Sequence, residues 1–131
     1  KLPAVPQVAA FETAFHSSIP ASRQHYAIPH AWTEYYGIRR YGFHGASHRY
    51  VSERARELNP DARRMVHCHL GGSSSLCATV DGKSVAVSMG LTPQTGLPQN
   101  NRVGDFDIFA LPKLLANGLT IAQIPTTLGK E

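Results

Sequence analysis

Few cysteines, a shortage of acids and the want of any long apolar run limit what this sequence can be. Only Cys68 and Cys77 are present in 131 residues, too few for a disulfide scaffold, so both read as reduced thiols of a cytoplasmic protein. No apolar stretch approaches the roughly 20 residues that cross a bilayer, so no membrane association is expected. The opening Lys1-Leu2-Pro3-Ala4-Val5-Pro6 places prolines where a secretion signal keeps its apolar core. It also lacks an initiating Met, as a processed chain or a piece of a longer one would. No G-x-x-x-x-G-K-[ST] motif is present, which removes the P-loop solution to phosphate binding. Internal repeats and low-complexity tracts are absent as well. Nine acids against 13 Lys and Arg leave a formal charge of +4. The arginines are dispersed, however: Arg39-Arg40, Arg54, Arg56 and Arg63-Arg64 each stand beside acids or apolar residues. A nucleic-acid surface clusters its charges among aromatics, so none is expected, whereas a small phosphorylated ligand needs only a few of them.

What is present is enough for a core. The hydrophobic share is 42%, ordinary for a globular chain. Residues 8–15 read as a largely buried strand carrying one acid, Glu12. Pro20 and Pro29 punctuate a loop, and a short helix over 31–36 ends at Gly37, where a left-handed cap is easy. Residues 38–43 read as a short strand running into the turn His44-Gly45. Ser47 is placed to cap a helix over 48–58, with Tyr50, Val51, Ala55 and Leu58 on its inward face. Asn59-Pro60-Asp61 stops that helix and marks the preferred domain boundary. A compact β unit follows: strands over 65–70, 75–80 and 84–89, the last two joined by Asp81-Gly82, a strong two-residue hairpin signal. Residues 90–104 form a Gly-, Pro-, Gln- and Asn-rich loop long enough to be suspected of function. Asp105 or Asp107 opens a helix reaching about Ala116, and Thr120 caps a further short helix before Pro125.

Four segments could carry chemistry. In His69-Leu70-Gly71-Gly72-Ser73 the glycines allow close backbone approach and a nest of N–H groups for phosphate oxygens, although Gly-Gly-Ser-Ser is also an ordinary turn. His44, between a strand and a helix and next to Gly45, can donate to charge developing on a transferring phosphoryl group, or simply pack at a loop. Arg102, among Asn and Gly residues, can clamp a carboxylate or phosphate with its planar fork, or lie solvated on the surface. Glu12, an acid in an apolar segment, calls for a partner: Mg²⁺ through water, a nucleophile to orient, or an ion pair with Arg39 or Arg40. His67 and His69 share one face of a strand and Cys68 the other; a closed zinc site needs about four convergent ligands, so these are read as buried strand residues.

In order and spacing these segments resemble the acetate kinase family. The family pattern F-D-T-A-F-H is met by Phe11-Glu12-Thr13-Ala14-Phe15-His16. Y-G-I-R-R-Y-G-F-H-G-T-S-H-R-Y-V is met from Tyr36 to Val51 with one change, Ala46. H-L-G-N-G-S-S is met by His69-Leu70-Gly71-Gly72-Ser73-Ser74-Ser75, S-M-G-F-T-P-L-E-G-L by Ser88 to Leu97, and T-R-S-G-D-I-D by Asn101 to Asp107. The likeness runs over nearly the whole chain.

The resemblance implies an α/β fold of the actin-like ATPase type (the ASKHA, ribonuclease H-like class), present in part. Residues 1–61 would be the C-terminal part of a first domain, and 62–131 the N-terminal part of a second, with a phosphate-binding β-hairpin. It implies transfer of a phosphoryl group between ATP and acetate, propionate or another short carboxylate, with Mg²⁺, usually in a homodimer. His44 and Arg102 match residues that stabilise the transferring group, and Glu12 stands where the family has a catalytic, Mg-associated aspartate. His69, Leu70, Gly71, Gly72 and Ser73 match the nucleotide-phosphate loop, and Phe43 and Pro93 the pocket for the acyl methyl group. Departures from the pattern are Glu12 for Asp, Gly72-Ser73 for Asn-Gly, Asn100-Asn101 for Gly-Thr and Val103 for Ser. A working but divergent enzyme is the first expectation, and a paralogue that binds nucleotide or a partner without turnover the second. Family members are about three times longer, so this stretch alone is expected not to catalyse.

Overall fold

The structure, a computed structural model, describes residues 4–129. Its centre is a three-stranded antiparallel sheet in the order β1-β2-β3, with β1 at Arg64–Leu70, β2 at Ser74–Val80 and β3 at Lys83–Val87. Period-two patterning and two tight turns dictate this meander. Asp81 and Gly82 both take positive φ, 50° and 80°, the left-handed pair that a two-residue hairpin with the natural twist demands. Arg63 grips Asp81 through both carboxylate oxygens at 2.7 and 2.9 Å and holds its carboxyl below the usual range. On β2 every second residue, Ser75, Cys77 and Thr79, is buried.

Helices lie before and after the sheet. A 3-10 helix (Ala14–Ser18) packs on β3, and α1 (Ala21–Gln24) and α2 (His30–Tyr36) follow. α2 ends at Gly37 with φ 64°, as expected. α3 (Gly45–Leu58) packs against β1 and the 3-10 helix and stops at Asn59. After the loop, a 3-10 turn capped by Asp107 leads into α4 (Leu111–Ala116), and α5 (Gln123–Leu128) follows. No helix among the described residues is long and apolar enough to cross a membrane.

Several expectations need correction. Residues 8–15 and 38–43 are not strands. An apolar run becomes a strand only where a neighbour completes its ladder, and among the described residues the sheet offers these segments none. Val8 is 94% exposed and Phe11 73%. Residues 38–43 spend their backbone groups singly instead, Arg40 N–H on the Gln24 carbonyl and Tyr41 N–H on the Gly90 carbonyl. The helix expected from 48 begins three residues earlier. Its N-cap is His44, held left-handed at φ 59°, and no side chain caps it. Ser47 therefore lies inside the first turn. The face expected to turn inward is mostly exposed: Tyr50 and Leu58 are 67% and 71% open, while His48 and Ser52 are buried. α5 runs through Pro125 rather than ending before it, because proline in a first turn removes an N–H that has no helical partner. Thr120 does accept from Gln123 N–H at 3.2 Å, and Gln123 Oε1 accepts in return from Thr120 N–H at 2.8 Å.

The interior is unusually polar. Beside Ile19, Cys77, Val87, Met89 and Ile124 it buries three histidines and four hydroxyl side chains. Burying such groups costs several kcal/mol each unless they are hydrogen-bonded. Here they satisfy one another: His16 with Ser84 at 2.9 Å, His48 with Ser75 at 2.7 Å and His67 with Thr79 at 2.9 Å. Among the described residues only Ser52 Oγ is buried without a partner.

Candidate functional site

The site grows from the N-terminal end of β2. Ser73 closes the turn that leads into β2, and Ser75 is the second residue of that strand. Ser75 Oγ lies 2.8 Å from His44 Nδ1 and 2.7 Å from His48 Nε2, so one hydroxyl joins two imidazoles. Ser73 Oγ accepts from Arg102 Nη1 at 2.7 Å. His44 and Arg102, 58 positions apart in the chain, are thus anchored two residues apart, on the start of β2 and on the turn residue before it.

Local backbone fixes His44. Its left-handed conformation closes the step into α3, and the N–H of Gly45 donates to the Glu12 carbonyl at 2.9 Å. A Cβ on Gly45 would overlap that carbonyl, so glycine is needed to bring Glu12 alongside. The His44 ring stacks on His69 with centroids 3.9 Å apart, and His69 Nδ1 lies 2.9 Å from Ser47 Oγ. Burial, with His69 next, pushes the His44 imidazole below its ordinary value; the Glu12 charge opposes this and Arg102 adds to it. His48 goes further, to about 4, by burial and by the histidines around it. At neutral pH both rings are therefore neutral.

Arg102 is half-buried in the loop before α4. Besides Ser73 its Nη1 faces the Pro93 carbonyl at 3.3 Å and Gln99 Oε1 at 3.2 Å. Phe43 contributes its carbonyl to His16 Nε2 at 2.8 Å, directly before His44. His69 and Leu70 end β1, and Gly71, Gly72 and Ser73 form the turn into β2, with Gly71 N–H returning to the Ser73 carbonyl at 3.2 Å. A side chain at Gly72 would meet nothing within 4 Å, so this turn faces open space.

Glu12 differs from its expectation. It is exposed, in a turn before the 3-10 helix, and forms no ion pair among the described residues. Arg39 donates to Gln24 Oε1 and Arg40 to the carbonyls of residues 87–89, so neither is its partner. Cys68 is exposed rather than buried, and His67 and His69 do share the inner face of β1. No three His, Cys, Asp or Glu side chains gather as a metal cage among the described residues. Mg²⁺ does not require one: it commonly takes one or two carboxylates and fills its sphere with water and phosphate oxygens. An exposed, unpaired carboxylate whose charge reaches His44 suits that arrangement.

Sequence reasoning missed Ser75, His48, Ser47 and Gln99. The recurrence of Ser75 and Thr79 on one face of β2, with five histidines nearby, was the available signal. A groove of about 710 Å³ lined by Phe11, Phe15, Gly45, Tyr50 and others includes neither His44 nor Arg102.

A family model described as the Acetokinase family matches residues 1–131. The acetate kinases of Bacteroides fragilis and Halothermothrix orenii are each 45% identical over 134 residues, covering 99% of this chain and 34% of theirs. A propionate kinase structure from Francisella tularensis superposes with a TM-score of 0.93 at 42% identity, over 98% of this chain and 34% of that one. The acetate kinase structure of Porphyromonas gingivalis gives 0.91 at 42% identity, over 98% and 33%. The chain thus spans about a third of the length of the relatives it matches. Its α/β arrangement is part of the acetate-kinase form of the actin-like ATPase fold. With sequence, fold and the order of its motifs all in agreement, the chain belongs to the acetokinase family.

Proposed function

We propose that this chain is the phosphoryl-holding part of a phosphotransferase that converts ATP and acetate, or another short carboxylate such as propionate, to ADP and an acyl phosphate. A carboxylate oxygen attacks the terminal phosphorus, the bond to the bridging oxygen breaks, and ADP leaves with that electron pair. Such transfer asks little covalent chemistry of the protein and much positioning of donors. His44 and Arg102 donate to the transferring oxygens from two sides, and the turn from His69 to Ser73 cradles the nucleotide phosphates. Phe43 and Pro93 line the place of the acyl methyl. Glu12 would hold Mg²⁺ through water, and that ion would supply charge neutralisation on the phosphates. Residues 1–61 and 62–131 belong to two domains facing across this site. The protein works in the cytoplasm as a homodimer, without nucleic acid.

The observation that carries this reading is the pairing of His44 with Ser75 and of Arg102 with Ser73, two residues apart where the turn enters β2. The test uses the full open reading frame containing this chain, with acetate, ATP, Mg²⁺ and hydroxylamine. Acyl hydroxamate forms, and Arg102→Ala lowers its rate at least about 100-fold, as loss of one transition-state donor does. Nucleotide binding with no product above blank would replace this reading by a binding paralogue, a role that the longer Glu12 would favour.

A further inference from the structure

Gln99 sits at the centre of a set of donors. Its Oε1 accepts from Ser73 Oγ at 2.8 Å, from Ser74 N–H at 3.1 Å and from Arg102 Nη1 at 3.2 Å. The amide orientation is fixed by the network, because Nε2 donates to the Pro93 carbonyl at 3.0 Å and three donors require an oxygen at the other position. A neutral amide oxygen has two lone pairs, so three donors oversubscribe it. One backbone N–H, one hydroxyl and one guanidinium converging on a point is the donor set that an anionic phosphoryl oxygen would satisfy better, because charged acceptors make stronger bonds.

We propose that the side-chain oxygen of Gln99 occupies a phosphoryl-oxygen position in the turn between β1 and β2, and must withdraw for an anion to bind. Gln99 is then a competitor built into the site. It keeps Arg102 and the turn organised but raises the concentration of phosphorylated ligand needed to fill it. The proposal rests on the phosphotransferase reading only for the identity of the anion, and its test reads affinity rather than turnover. Ser73 takes part because its hydroxyl both donates to Gln99 and accepts from Arg102. The backbone of 99–102 supports the arrangement, with Gln99 N–H donating to the Arg102 carbonyl at 3.0 Å.

The experiment titrates the full-length protein with inorganic phosphate, and separately with acetate, by calorimetry. Gln99→Met keeps length and packing but removes the competing oxygen. Phosphate then binds about tenfold tighter, the net worth of roughly one hydrogen bond, while acetate affinity stays as it was. Gln99→Glu places a charged oxygen in the same position, and phosphate binds at least about tenfold weaker. Weaker phosphate binding in Gln99→Met would overturn the proposal, as would unchanged binding in Gln99→Glu, since either makes Gln99 a scaffold. A gain for acetate in place of phosphate would overturn the assignment of the anion. A protein that binds phosphate as expected here but forms no acyl phosphate would refute the enzyme reading and leave this one standing.

Discussion

Lowering the pH from 7.5 to 4.5 should strip much of the stability from this fold, and His48 is the main reason. Its side chain is 1% exposed, shares Ser75 with His44, and is surrounded by His16, His44, His67 and His69. Burial and these neighbours depress its imidazole from 6.5 to about 4. The unfolded chain binds a proton at this residue once the pH drops below about 6.5, whereas the folded chain resists until about 4. The stabilising contribution is therefore complete above 6.5 and is lost progressively as the pH falls toward 4. At about 1.4 kcal/mol per unit, the difference of roughly 2.5 units is on the order of 3 kcal/mol, a large share of the 5–15 kcal/mol typical of a folded protein. His16 and His67 are depressed in the same direction, chiefly by burial, and add to the effect. Asp81 is depressed too, by its Arg63 hydrogen bonds, but its loss falls at lower pH, outside this window. Urea unfolding of the full-length protein checks this: the midpoint should fall by about 1–3 M between pH 7.5 and 4.5, given slopes near 1–3 kcal/mol/M. In His48→Gln, which keeps a donor toward Ser75 but does not titrate, the fall should be roughly halved. A midpoint that does not move, or one that moves equally in the variant, would refute the argument.

Three further outcomes follow from particular contacts. Ser52→Ala removes a buried hydroxyl without a partner and raises helix propensity, so the protein should gain about 1 kcal/mol in a denaturant titration. Gly42→Ala should cost about 2 kcal/mol or more by the same measurement. The position has φ 76°, and a Cβ would come within 2.6 Å of Val87 Cγ1 and 2.8 Å of His16 Cδ2. Ser75→Ala leaves His44 and His48 without their shared partner; hydroxamate formation should fall on the order of 100-fold, since a displacement of about an ångström is enough. Unchanged turnover in that variant would mean that His44 is held by its stacking on His69 alone.

How much was legible in the sequence depended on how local the physics was. Asp81-Gly82 announces its hairpin because only a few residue pairs tolerate two left-handed positions in a row, and the strands on either side follow from alternation. Gly37, Asn59 and Asp107 mark helix ends by equally local chemistry. Residues 8–15 and 38–43 were misread because an apolar run does not say whether a neighbouring strand exists. The start of α3 was misread because Ser47 is a good cap by type, while the backbone had already turned at His44. Its buried face was misread because hydrophobic periodicity looks for apolar residues, and here histidine and serine fill the interior. Of the site, the motif residues themselves were visible. Their supports, Ser75, His48 and Gln99, were not, because a hydroxyl or amide acquires its meaning only from what lies across from it.

Those supports tie the fold to the site through a counting argument. Ser75 has one hydroxyl hydrogen and stands between two ring nitrogens. With both rings neutral, it accepts from one and donates to the other, and every group is satisfied. If His44 takes a proton, its Nδ1 becomes a donor, and Ser75 must turn its own hydrogen to His48 Nε2. That requires His48 to be neutral with a lone pair at that atom. A proton on His48 imposes the reverse. Two protons would set both rings to donate, leave the hydroxyl hydrogen with neither, and place two charges around a buried oxygen. By this count the pair takes one charge more readily than a second, while burial, the first cause at each ring, holds both below their ordinary value. Negative charge gathering near His44 would draw that single proton to it and so keep His48 neutral. The ring buried between α3 and the sheet thus stays in the state that holds the fold together while the ring at the surface does the electrostatic work.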